Sequence, residues 1–172
     1  MQLEVLVDAL SRNDSIESLD LSCNDLTDRY GSLVAQCVQS QIEMRDEYKW
    51  AGALRIGRRP SADITNRGLK EFILGHNRLG RNFIQSLSNR LKDDQYLKFV
   101  DIRFNRLSSD LIMKMLKTLD SNQYLAGLDL RGNKGYADNV GVQQALSQFL
   151  QRNLSLNLKA NEKLKATWIV KD

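Results

Sequence analysis

Histidine and proline occur once each, at His76 and Pro60, and cysteine twice, at Cys23 and Cys37. A structural zinc site takes about four Cys, His or acidic ligands, so this set supplies neither a metal site nor a disulfide framework. Both thiols are expected as small, buried or half-buried side chains. No apolar run approaches the roughly 20 residues that span a bilayer. The opening MQLEVLVDAL carries Glu4 and Asp8 where an export signal carries Lys or Arg, which predicts a cytosolic or nuclear chain. Neither G-x-x-x-x-G-K-[ST] nor G-x-G-x-x-G occurs, and LSCNDLTDRY lacks the spacing of a calcium loop. No motif ties a nucleophile to His76, which is expected as an exposed or capping side chain at a strand end. These absences predict a chain that is not an enzyme, holds no cofactor and has no small-molecule substrate.

What the sequence does have is repetition. IESLDLSCNDL (16–26), LKEFILGHNRL (69–79), LKFVDIRFNRL (97–107) and LAGLDLRGNKG (125–135) share the frame L-x-x-L-x-L-x-x-N-x-L, and NLSLNLKANEKL from 153 keeps Leu156, Leu158 and Asn161. Asn77, Asn105, Asn133 and Asn161 fall 28 residues apart. Alternating leucines turn one face of a short strand inward, and parallel stacking buries them on the next unit. The asparagine amide then satisfies backbone groups that leave the ladder, so Asn24, Asn77, Asn105, Asn133 and Asn161 are expected as a structural ladder. Between the strands the apolar spacing becomes helical, as in LIMKMLKTL (111–119) and VGVQQALSQFLQ (140–151). One strand and one helix per 28 residues predict an α/β, right-handed leucine-rich-repeat solenoid. It would be a ribonuclease-inhibitor-like horseshoe with parallel strands concave and helices convex. The whole chain is then one domain: a helix at 1–14, repeats at 16–41, 69–96, 97–124 and 125–152, and a terminal repeat at 153–172. That first helix, with no strand before it, predicts a cap or the cut end of a longer array, the second being favoured.

Asn24 to Asn77 spans 53 residues, 28 plus 25. Aligning Arg59 to the asparagine would leave 18 residues to Asn77, fewer than the roughly 20 a leucine-rich repeat needs. Residues 42–66 are therefore an insertion. Its apolar Tyr48, Trp50, Leu54 and Ile56 alternate in part, so it is expected to pack on the horseshoe until Pro60 ends any regular ladder.

The insertion also carries a resemblance. WAGALRIGRRP, followed by GLKEFILGHN and later LDLRGNKG, resembles the family of the centrosomal protein of seventy-eight kilodaltons, through Trp50, Leu54 with Arg55, and Arg59 with Pro60. The likeness covers about residues 20–150. It implies a leucine-rich-repeat scaffold of centrosome and cilium, cytoplasmic and found at centrosome or basal body, with centriolar or ubiquitin-ligase components as protein partners. The alternative is a GTPase-activating or other GTPase-regulating leucine-rich-repeat protein.

Net charge is +4, distributed as −6 over residues 1–44, +7 over 45–106 and +3 over 107–172. A basic centre attracts acidic partners, and its arginines suit bidentate contacts to carboxylates. Nucleic acid is disfavoured because no recognisable module interleaves these basic residues with stacking aromatics. Two candidate surfaces follow. One is the insertion and its neighbour, with Trp50, Arg55, Arg58, Arg59 and Arg67. The other is the open strand face, where an acidic column (Asp101, Asp129) lies beside a basic one (Arg103, Arg131) and Phe99 and Phe104 stand outside the leucine set. Mutual neutralisation of the two columns is the competing reading.

Overall fold

The leucine frame places its alternating residues on strands only three residues long, so most of the framework between them is helix. The computed structural model describes residues 2–56 and 67–160. In chain order these are α1 (Gln2–Leu10), β1 (Ser18–Asp20), a 3-10 turn (Asp28–Tyr30), α2 (Gly31–Ile56), β2 (Glu71–Ile73), α3 (Arg81–Leu91) and β3 (Phe99–Asp101). There follow α4 (Ser109–Thr118) with a 3-10 turn (Leu119–Ser121), β4 (Gly127–Asp129), α5 (Lys134–Ala137) and α6 (Val140–Ala160).

The strands form one parallel sheet in the order β1-β2-β3-β4. Its register aligns Leu19, Phe72, Val100 and Leu128 in one row. This row and the next, Leu21, Leu74, Ile102 and Leu130, face a single core. From the helices that core receives Val34, Cys37 and Val38 of α2, Phe83 and Leu87 of α3, Ile112 and Met115 of α4, and Val142, Leu146 and Phe149 of α6. Burying each such side chain contributes about 1.5–3 kcal/mol. The helices thus cover one face of the sheet and leave the other to solvent.

Past each strand the chain keeps pairing for two more positions. Cys23 donates its N–H to the carbonyl of Gly75, His76 to that of Arg103, and Phe104 to that of Arg131. It then turns inward over the asparagines. Asn77 Oδ1 accepts the N–H groups of Asn24 and Leu26 while its Nδ2 donates to the carbonyls of Leu21 and Leu74. Asn133 Oδ1 accepts those of Asn105 and Leu107. Asn77, Asn105 and Asn133 are buried; Asn24, at the β1 end, is exposed and donates to the carbonyl of Ser22. Asn161 lies outside the described residues.

This architecture corrects the right-handed, ribonuclease-inhibitor-like solenoid of five repeats. Four frames form strands; the segment from Asn153 to Ala160, expected to open a fifth, continues α6. No glycine or proline interrupts residues 142–160, and Asn153 is fully buried, its Nδ2 donating to the carbonyl of Leu125. That bond holds the helix in line where a turn into a strand was expected. What results is an α/β domain with a four-stranded parallel sheet, α1 lying on α2 ahead of the first strand and α6 following the last.

The insertion also differs from expectation, because α2 runs on through Ile56. At 26 residues it is about 39 Å long. Among its buried positions, Val34, Ala35, Val38, Gln41, Met44 and Arg45 keep helical spacing, and Tyr48 and Trp50, which open the partial alternation, are exposed. Gln41 and Arg45 are polar yet turned inward, for a stated task. Gln41 Nε2 donates to the carbonyls of Leu10 and Asn13 and its Oε1 accepts the N–H of Leu69. Arg45 donates to the carbonyls of Arg67 and Leu69 and lies over the Tyr96 ring, 4.7 Å from its centroid.

Candidate functional site

On the open face of the sheet the acidic and basic columns neutralise each other in the β3 and β4 repeats. Asp101 accepts the N–H of Arg103 at 2.9 Å and pairs with its Nε at 3.0 Å. Asp129 takes both Nε and Nη2 of Arg131, the latter at 2.7 Å. Asp20 accepts the N–H and hydroxyl of Ser22. These partners set the carboxylates. The Ser22 hydroxyl, then its N–H, hold the Asp20 carboxyl below its ordinary value. Asp101, only 4% exposed, is pushed up by desolvation, which outweighs Arg103. Desolvation acts the same way on Asp129, but the hydrogen bonds from Arg131 overcome it and leave that carboxyl low.

Phe99 and Phe104 have different surroundings. Phe99 is half-buried over Gly127, where an added Cβ would meet its Cδ2 at 2.5 Å, so it packs across to the next strand. Phe104 is 47% exposed. Its ring stacks on the imidazole of His76, centroids 4.4 Å apart and planes 17° from parallel. On the other side it covers Gly132, where a Cβ would lie 2.3 Å from two ring carbons.

These residues belong to one column, the position before each ladder asparagine: Cys23 (φ 56°), His76 (φ 56°), Phe104 (φ 52°) and Gly132 (φ 68°). A left-handed backbone costs a non-glycine residue roughly 1–2 kcal/mol. Only the last of the four uses glycine, so side chains are retained where the backbone would favour their loss, a pattern that accompanies function.

The position after each asparagine forms a second column: Asp25, Arg78, Arg106 and Lys134. Asp25 and Arg78 pair at 2.7 Å, whereas Arg106 and Lys134 are exposed and have no carboxylate partner among the described residues. Arg81, at the start of α3, is likewise exposed without one. Nearby Asp28 is committed elsewhere, its carboxylate accepting the N–H groups of Gly80, Asn82 and Phe83 and so capping α3. The strand ends therefore present two stacked rings, His76 and Phe104, beside a basic border.

The structure brings Phe104, Arg103 and Arg131 into this region and keeps Trp50 out of it. Trp50, 62% exposed, rides on the distal turns of α2 in the helix layer, beside exposed Tyr48. Arg67 pairs with Asp14 at 3.3 Å. Arg58 and Arg59 lie outside the described residues, as does the side chain of Arg55. Cys37 is buried, and burial pushes its thiol up to about 12, whereas Cys23 is exposed and not the packed thiol expected. Among the described residues no three His, Cys, Asp or Glu side chains are grouped to hold a metal ion. Arg106 and Lys134 escape the sequence reasoning, although a basic residue after the asparagine recurs at 78, 106 and 134. His76, expected as an exposed or capping side chain, is exposed and gains meaning only from Phe104 beside it.

The fold defines a class of α/β domain with known structural counterparts. The chain is similar to the structure of leiomodin-1 actin-binding site 2, with a TM-score of 0.56 and 11% identity over 93% of this chain and 94% of that one. It is also similar to the tropomodulin C-terminal domain of Caenorhabditis elegans, with a TM-score of 0.60 and 9% identity over 95% and 100%. No family profile and no curated protein matches the chain in sequence. These neighbours correct the resemblance to the centrosomal family, whose repeat frame is generic; of its distinguishing residues, Trp50, Leu54 and Arg55 continue α2, and Arg59 and Pro60 lie outside the described residues. The centrosome or cilium scaffold and the GTPase-regulating alternative are overturned with it; protein partners fit these neighbours, and the centriolar and ubiquitin-ligase partners have no support from them.

Proposed function

We propose that this domain is a non-enzymatic protein-docking module that binds actin, acting in the cytoplasm. The observation that carries the reading is the likeness of fold, over nearly the whole chain, to leiomodin-1 actin-binding site 2. At such low identity the fold does not itself transmit function, so the reading also leans on the strand-end surface. There an exposed aromatic stack beside arginines has the composition of an interface anchor.

Co-sedimentation with actin filaments tests it. The domain is expected to pellet saturably, and Phe104→Ala combined with Arg106→Glu to weaken binding about 30-fold, the equivalent of roughly 2 kcal/mol at an anchor position. A domain that stays in the supernatant at every actin concentration overturns the reading. Equal pelleting of wild type and double variant moves the docking surface elsewhere.

A further inference from the structure

Resting on that docking reading, we infer that the strand-end surface recognises an acidic, extended protein segment carrying one apolar or aromatic side chain. That side chain seats against the His76–Phe104 stack and the carboxylates pair with Arg106 and Lys134. Three observations support this occupant. First, both cations are exposed and have no carboxylate partner among the described residues, while Asp101, Asp129 and Asp25 are paired with arginines. In this column the unpaired charge is positive, the nearest exposed carboxylates along the chain, Asp110 and Asp138, lying four residues further on. Second, Phe104 is exposed at its outer edge yet fixed on both faces, by His76 at 4.4 Å and by Gly132. A rigid ring gives contact area with little ordering cost. Third, Arg106 and Lys134 follow ladder asparagines whose strands lie side by side, about 4.8 Å apart. An extended segment crossing these turns reaches both with two carboxylates.

The probe is a fluorescein-labelled nonapeptide of eight glutamates around a central tyrosine, measured by anisotropy against the whole chain at about 0.15 M salt, where charges separated by more than roughly 8 Å are screened. Binding is expected to weaken at least tenfold for Arg106→Glu/Lys134→Glu and for Phe104→Ala, and to be unchanged for Lys114→Glu on the helix layer. A peptide with glutamine for glutamate should bind at least tenfold more weakly, and one with glycine for tyrosine about tenfold more weakly. Equal binding of either control peptide refutes the inference. So does absence of peptide binding by a chain that still pellets with actin, which leaves the docking reading standing. Peptide binding without actin pelleting keeps the inference and removes actin as the partner. Tighter retention of single-stranded nucleic acid or of anionic phospholipid vesicles by the same cations also overturns it. Far-ultraviolet dichroism of each variant, expected to match wild type, establishes that a loss is one of binding.

Discussion

Asn105→Ala should cost far more stability than the same change at Asn24, although both occupy the same place in the frame. Asn105 is buried, and its Oδ1 accepts the N–H of Leu79 at 3.0 Å. Its Nδ2 is shared among the carbonyls of Leu74, Arg103 and Ile102 at 3.0, 3.1 and 3.2 Å. After truncation each of those carbonyls keeps another donor: Asn77 Nδ2 at Leu74, the N–H of His76 at Arg103 and Asn133 Nδ2 at Ile102. The Leu79 N–H loses its partner inside the core. One orphaned buried donor costs about 1–3 kcal/mol and each lost bond roughly 1 kcal/mol net, so the expected loss is about 2–4 kcal/mol. Asn24→Ala removes one exposed bond to Ser22, and about 0.5–1 kcal/mol is expected. Urea unfolding checks this, the midpoint moving with the slope unchanged. Losses at Asn24 and Asn105 within about 0.5 kcal/mol of each other would refute the reasoning, because burial would then not decide the cost.

Two further outcomes concern the helices and the buried charge. Asp28→Ala, which uncaps α3 from outside the helix by removing the acceptor of three N–H groups, should lower stability by about 1–2 kcal/mol in urea. Asp94 is buried and its carboxyl is pushed above the ordinary 3.8 by desolvation, against the pull of N–H groups and Arg45. In the window between 3.8 and its raised native value, the native state binds more protons than the unfolded chain, so this group's contribution to stability falls as pH rises. Asp94→Asn removes that dependence. Its stability relative to wild type should therefore improve as pH is raised from 3.8 toward neutrality, whatever its sign in acid; a constant difference across that range counts against the assignment.

How much of this is legible in the sequence depends on whether one residue type does one job at one spacing. Asn77, Asn105 and Asn133 do, and the interval of 28 residues exposes both their role and the strands before them. A second polar set, ahead of the strands, does so only in part. Asn13 accepts the N–H groups of Ser15 and Ile16, Asp94 those of Tyr96 and Leu97, and Asn122 those of Tyr124 and Leu125. Gln41 and Arg45 reach the same level from α2, and Asn153 from α6. Asn13, Asp94 and Asn122 each precede a ladder asparagine by 11 residues but change chemical type, Gln41, Arg45 and Asn153 fall outside that spacing, and two polar side chains facing the core disguise α2 as an insertion of mixed character. The fifth frame misleads for the opposite reason: Leu156, Leu158 and Asn161 keep the spacing, but Asn153 fastens the segment as helix before a strand can form.

The strand-end surface shows why the candidate site is harder to find than the fold. At each turn three consecutive residues divide their tasks: in Phe104-Asn105-Arg106 the middle one faces the core and the outer two face solvent. Both outer residues have left-handed backbones, φ 52° and 62°, and that geometry points them outward while Asn105 turns in. Packing and solvent exposure are thereby assigned to adjacent residues. Histidine follows cysteine, phenylalanine follows histidine and glycine follows phenylalanine along one column, and a search for periodicity passes over it because it does not repeat. The ring stack between positions 76 and 104 belongs to that column, and it becomes visible only once the parallel register has placed the two turns side by side.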